Sequence, residues 1–483
     1  MFESIIFILS FGIFSLLWVS NLAYVRWFAL ASAGSVFCLA FLIVLQFNSN
    51  DFYFQDIVTY KVGLEWLNIY VSFGLDGISI FFYFLSTALV YWCIIYIWDE
   101  PLFHKYAVSL LIIDLVLLFV FSALDVLLFY IFFEAILIPM FLIIGVWGSR
   151  ERKIRAVYLF FFYTLAGSLC MLAGLLYIYS VAGTLNFEYL TSYSFTVVEQ
   201  RWLWLSFFLS FAAKIPMFPF HIWLPEAHVE APTVGSVLLA GILLKLGVYG
   251  FLRFSLTLFP EASHYFSPFI YLLCILGIIS ASLTAIRQTD LKRIIAYSSV
   301  AHMNLVTLGI FSFNLVGIEG AVLQSISHGF VAGALFFLVG ILYQRYHSRL
   351  LFYYSGLAHL MPLYCSMFLV FTMANIALPG TSSFVGEFLL LVGVYKINST
   401  VCFFAALGVI FCGGYSLWVY NRLAFGNLKI KHLNYFSDLS IREASILMPL
   451  LILVIYIGLS PSFFLKYIHF ACSNLVVITT FFN

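Results

Sequence analysis

Four ionisable residues stand inside long apolar runs: Glu134 in FYIFFEAILIPM, Lys214 in SFFLSFAAKIPM, Lys245 in LLAGILLKLGVYG and Glu387 in SSFVGEFLLLVGV. On insertion scales each costs about 3 kcal/mol at a helix centre. Together they approach ~10 kcal/mol, comparable with the net stability of a whole protein. Buried ion pairs that fix helix register are one explanation, but such pairs add little stability. Proton transfer suits the residues better. A low dielectric disfavours the charged form of an acid and of an amine alike, so an acid and a lysine set against each other can exchange a proton when a partner moves. Glu134 with Lys214, and Lys245 leading toward Glu387, would give two such alternations.

Histidines supply intermediate steps. His221 follows Lys214 by seven residues, roughly 10 Å at about 1.5 Å per residue if the helix continued. His228, His302 in SSVAHMN and His328 in SISHGFVAG lie in or beside apolar spans with small or polar neighbours. A side chain titrating near about 6.5 suits a shuttle, although a lone histidine is more often a hydrogen-bonded core residue. No H-x-x-x-H spacing supports a metal site. Glu226 and Glu230 flank a turn between Pro225 and Pro232 and fit a solvated face or a channel mouth. Asp114 and Asp125, near helix ends, stay ambiguous. Asp290, Lys292 and Arg293 fit a solvated helix start.

The elements that must position these groups are membrane helices. Of the 483 residues, 64% are hydrophobic and 9% charged, against about 25% charged in a soluble domain. Runs of roughly 20 apolar residues recur along the chain, and they are apolar on all sides rather than alternating as barrel strands do. About fourteen spans are expected, near 4–20, 23–46, 75–98, 107–122, 124–147, 156–180, 203–221, 232–257, 267–287, 294–312, 320–345, 362–395, 400–424 and 445–468, with an extended loop over 48–70. No linker divides the chain, so one domain, all-α and integral to the membrane, is expected over 1–483. Within it, residues 1–106 hold helices 1–3, 107–258 and 267–425 two repeats, and 445–468 the last helix.

Helix seven is interrupted at Pro216 and Pro219, and helix twelve at Pro379-Gly380. Proline lacks an N–H, which frees the carbonyls of Ala212, Ile215 and Asn375, and such groups must face protein or water. The two breaks are five spans apart, so helices 4–8 and 9–13 would be inverted repeats, a pattern that points to a transport site. The loops with Arg150, Arg152, Lys153 and Arg155, with Arg287, Lys292 and Arg293, with Arg345 and Arg349, and with Arg422, Lys429, Lys431 and Arg442 then share one side. The positive-inside rule places both termini on the other.

The eight cysteines are scattered without C-x-x-C spacing and read as small core residues, against a disulfide framework, an iron–sulfur cluster or a zinc site. A net charge of +1 without a basic block gives no sign of nucleic acid. No nucleotide-binding glycine loop, haem pair or nucleophile elbow appears, so no redox machinery is expected in this chain. The N-terminus reads as a first helix, and a chain this apolar favours insertion as it is made.

The run AAKIPMFPFHIWLPEAHVEAPTVGSVLLAGILLKLGVYG, with RQTDLKRIIAYSSVAHMN and LPGTSSFVGEFLLL, resembles the proton-pumping membrane subunits of respiratory complex I. The similarity spans roughly residues 70–430. It implies that Glu134 is the helix-five acid coupled to Lys214, Lys245 the connecting lysine and Glu387 the exit-side group, with His221, His228, His302 and His328 on a hydrated axis. It implies a non-redox subunit of an NADH:ubiquinone reductase, with NADH, FMN, iron–sulfur clusters and ubiquinone held by other subunits. Implied partners are the other membrane subunits of complex I, above all sister antiporter-like subunits, and lipids. Within the family, an acid at 387 where two sister subunits usually place a lysine, and an end soon after helix fourteen without a long lateral helix, resemble one branch. High Phe content and the lack of a presequence resemble a mitochondrially encoded member, in the inner membrane with both termini on the intermembrane-space side. Related multi-subunit sodium/proton exchangers share this fold and are the alternative. A quinone-binding or purely structural subunit is a third.

Overall fold

The computed structural model describes residues 2–19, 21–51, 53–61, 70–427 and 437–480. Among them are eleven helices long and apolar enough to cross a membrane, with shorter apolar helices Phe2–Trp18 and Pro362–Asn375. The most apolar eighteen residues of Thr233–Leu258 and of Leu315–Tyr346 are all buried, whereas only about a third of the corresponding stretch of Lys153–Ala182 is. The first two therefore form the centre of the bundle. Lipid tails give helices no hydrophobic reason to associate, so close packing falls to small residues. A Cβ added to Gly329 would stand 3.0 Å from the Gly241 carbonyl oxygen, and one added to Gly386 would stand 2.8 Å from the Cα of Gln324. These crossings bring three helices together at one level.

Both expected interruptions are present. Helix Val197–Lys214 stops before Pro216, and the chain resumes through the turn Phe220–Ile222 into helix Trp223–Glu230. Helix Pro362–Asn375 stops before Pro379 and resumes at Ser382–Ile397. The Ala212 carbonyl is not free, as the sequence suggested: it accepts from the Met217 N–H at 3.0 Å. The neighbouring Ala213 carbonyl takes the indole N–H of Trp223 at 2.8 Å. The chain that follows the break thus folds back to serve the carbonyls before it.

Two regions differ from expectation. Part of the 48–70 loop forms a hairpin, strand β1 (Gln55–Lys61) pairing antiparallel with β2 (Tyr70–Leu75), so the described chain is not wholly helical. The span expected over 445–468 is two helices, Ile441–Leu459 and Pro461–Thr480. Proline at 461 disfavours the helical conformation for the residue before it, and Ser460 is correspondingly non-helical at φ −129° and ψ 64°.

The Pro461–Thr480 helix passes the ends of several spans on one face of the bundle. Tyr467 meets Phe47 with ring centroids 6.3 Å apart, and its carbonyl lies against Gly77, where a Cβ would stand at 2.1 Å. His469 contacts Glu319 at 2.7 Å, and His264 contacts the Thr479 carbonyl at 3.1 Å. The hairpin lies at the same face, where the Leu124 N–H donates to the Ser72 carbonyl. Beside it, Asp76 and Arg253 form a buried ion pair at 2.6 Å. Lys429 and Lys431, counted among the basic loops, lie outside the described residues.

Candidate functional site

Lys245 sits in the segment Leu244–Gly250, between two π-helical turns, Leu239–Leu243 and Phe251–Ser255. Such turns disrupt the regular ladder and recur at functional sites. Here Nζ of Lys245 donates to the Ala240 carbonyl at 2.6 Å and lies 2.9 Å from Nδ1 of His328, with no exposed surface on the lysine. An ammonium has only donors, so with the lysine charged Nδ1 accepts and the His328 proton is on Nε2. That atom is buried without a hydrogen-bond partner among the described residues. The Gly241–Gly329 crossing is what sets this contact, since His328 precedes Gly329 and Ala240 precedes Gly241.

His302, on helix Leu291–Ile310, places its ring centroid 5.7 Å from that of His328. Its Nδ1 lies 2.9 Å from Oε1 of Glu387, and the same oxygen accepts from Nε2 of Gln324 at 2.9 Å. All four groups, Lys245, His328, His302 and Glu387, are buried. Two short contacts are thus joined by one step too long for a direct hydrogen bond, where a water or a turn of a ring would complete transfer.

Glu134 and Lys214 are arranged otherwise. Lys214 is buried at the end of Val197–Lys214, with its Nζ 4.5 Å from the ring centroid of Phe133 and without a hydrogen-bond partner among the described residues. Glu134 is the next residue after Phe133, yet the two charged groups make no ion pair within 4 Å. Oε1 of Glu134 is buried and has no hydrogen-bond partner among the described residues. An aromatic face stabilises a desolvated cation by about 2 kcal/mol. His221 stands apart, half-buried, its ring 5.7 Å from Phe218. His228 is fully buried and stacked on Phe336 at 4.7 Å, with both ring nitrogens unpartnered among the described residues.

Sequence reasoning missed Lys292. It is no solvated helix start: it is buried, donating to the Ala231 carbonyl at 2.8 Å and reaching Ser236 Oγ at 3.3 Å. It lines a cavity of about 290 Å³ with Glu100, Thr233, Gln344 and His347, on the side of the basic loops. Glu230, Asp290 and Arg349 are buried close by, while Arg293 pairs with the half-exposed Glu226 at 2.7 Å. Asp114 is also buried, with both carboxyl oxygens unpartnered among the described residues. Helix Leu291–Ile310 starts one residue before it, after the polar run Arg287-Gln288-Thr289-Asp290, so nothing in the sequence signalled that this lysine turns inward.

Residues 123–412, more than half of the chain, match the family described as NADH:quinone oxidoreductase/Mrp antiporter, TM. The chain is 54% identical to NADH-ubiquinone oxidoreductase chain 4 of Chondrus crispus, covering 93% of this chain and 92% of that one. It is 52% identical to the protein of the same name from Arabidopsis thaliana, over 95% and 92%. A chain of respiratory complex I from Thermus thermophilus with bound NADH superimposes with a TM-score of 0.91 at 30% identity, over 99% of this chain and all of that one. The Mrp complex from Dietzia sp. DQ12-45-1b, at 19% identity and a TM-score of 0.86, shares the fold. The chain belongs to this antiporter-like family, and within it to the branch of NADH-ubiquinone oxidoreductase chain 4.

Proposed function

We propose that the chain moves protons across the membrane as a non-redox subunit of NADH:ubiquinone oxidoreductase, driven by electron transfer in other subunits. The observation that carries this reading is the buried line Lys245–His328–His302–Glu387, drawn from four helices that meet at glycine crossings. Glu134 and Lys214 form a second, separable element, and His228 lies between Lys245 and the buried Lys292, with His221 at the margin. NADH, FMN, iron–sulfur clusters and ubiquinone belong to other subunits. The chain is one domain that docks against sister antiporter-like subunits and lipids in the mitochondrial inner membrane.

Counting each interrupted helix as one span, and Pro461–Thr480 as lying along the face, gives fourteen crossings. Helices 4–8 and 9–13 are then inverted repeats, and both termini share the intermembrane-space side opposite the basic loops. The Lys214→Met variant in the assembled complex tests the reading. Normal assembly with NADH-driven proton uptake lost supports it; full uptake contradicts a relay through Lys214. Uptake that requires sodium would move the chain toward the exchangers of Mrp type.

A further inference from the structure

Behind His302, on the side away from Glu387, lies Cys412 of helix Ser399–Ala424. Its sulfur stands 3.6 Å from Nε2 of His302, accepts the Tyr415 hydroxyl at 3.0 Å, and lies 3.7 Å from Nδ2 of Asn375 and 3.8 Å from Oγ of Ser416. It also lies 3.4 Å from the backbone carbonyl of Asn375. That carbonyl ends helix Pro362–Asn375, and the residue four further on, which would ordinarily donate to it, is Pro379 and has no N–H. A buried carbonyl without a donor is costly. The thiol has one proton, and the freed carbonyl, which can only accept, is where it goes.

With that proton committed, the sulfur offers His302 only lone pairs, so Nε2 must carry hydrogen. Nδ1 then faces Oε1 of Glu387 at 2.9 Å, a contact that needs one proton between the two atoms. Either Glu387 is a neutral acid donating to a neutral ring, or an imidazolium donates to a carboxylate. Both arrangements have the same net charge, so the proton crosses from oxygen to nitrogen without adding charge to a low-dielectric interior.

We infer that Cys412 is a positioning residue of the relay, holding hydrogen on Nε2 of His302 so that the His302–Glu387 contact keeps one shared proton. The inference rests on the relay reading above. Other groups facing this contact are Gln324 and His328 from Leu315–Tyr346, with Lys245 behind His328, and Tyr415 beside the sulfur.

The test uses the assembled complex in proteoliposomes, read by NADH-driven proton uptake and by infrared spectra of ¹⁵N-histidine-labelled protein. The His302 ring bands are assigned by their loss in His302→Gln. Cys412→Ser keeps one donor and the acceptor and is expected to retain uptake and hydrogen on Nε2. Cys412→Ala is expected to lower uptake about tenfold, the worth of one net buried hydrogen bond, and to populate the ring form with hydrogen on Nδ1 alone. Cys412→Val carries the same expectation if the alanine variant does not assemble. A ring with hydrogen on Nδ1 alone already present in the unaltered protein, or an apolar variant with unchanged ring bands, overturns the inference. Glu387→Gln separates the two levels: if it is impaired while Cys412→Ala is not, only the role of Cys412 falls; if it pumps at full rate, the relay reading falls with it.

Discussion

The two interrupted helices serve buried charge in opposite ways. Around the break at Pro379, polar atoms are in contact: His302 meets Glu387, Gln324 holds the same carboxyl oxygen, and Cys412 reaches the freed Asn375 carbonyl. Around the break at Pro216, Lys214 faces an aromatic ring and Glu134 stays beyond ion-pair distance. The backbone freed there is served by backbone and by Trp223, so the lysine is left uncommitted. A connected cluster holds a proton in place. An unpaired lysine on a ring face is the arrangement of a group whose partner changes. The difference teaches that the two breaks need not act alike: one adjoins a connected line with a single missing step, the other a separable pair.

Several substitutions would break or sharpen that contrast. Gly329→Val forces apart the crossing that holds Lys245 to His328, since even a Cβ would meet the Gly241 carbonyl oxygen at 3.0 Å. It is expected to lower proton uptake about a hundredfold, the lower range of what a positioned proton-transfer group contributes, in complex that still assembles by native electrophoresis. Phe133→Leu removes the ring beneath Lys214, and a loss of about 2 kcal/mol of cation stabilisation should slow uptake roughly thirtyfold while leaving the His302 ring bands unchanged. If those bands move, the two regions are not separable. Gln324→Leu takes one of the two side-chain partners from Oε1 of Glu387 and should cost several-fold in rate, about 1 kcal/mol for a net hydrogen bond. Smallest is Arg442→Ala at the exposed Arg442–Asp99 pair, expected to lower thermal stability by about 1 kcal/mol or less without altering proton uptake.

The four midspan charges were legible because nothing else in an apolar run explains them, and the two proline breaks because Pro has no N–H to give. What the charges touch was not legible. His302 and Glu387 meet only through the packing of separate helices, and Gln324 and Cys412 are residue types common on any helix, so neither announced itself. Cys412 read as core filler because its partner, the Asn375 carbonyl, is backbone. Lys292 was misjudged by its neighbours Asp290 and Arg293: the first does cap the helix, accepting from the Lys292 N–H at 3.0 Å, and the second is partly exposed, but the lysine between them turns inward. The hairpin was hidden because its strands flank residues of mixed character, and the last span ran past Pro461 because the apolar run does.

Proton uptake per quinone reduced, measured on assembled Lys245→Met complex in proteoliposomes, bears most directly on the buried line. Lys245 has no exposed surface and contacts both the π-turn carbonyl of Ala240 and His328. A relay through it requires that assembled variant complex lose coupled uptake together with NADH:quinone turnover. Full turnover with an unchanged ratio of protons to quinone would contradict it and leave Lys245 a buried tie between two helices.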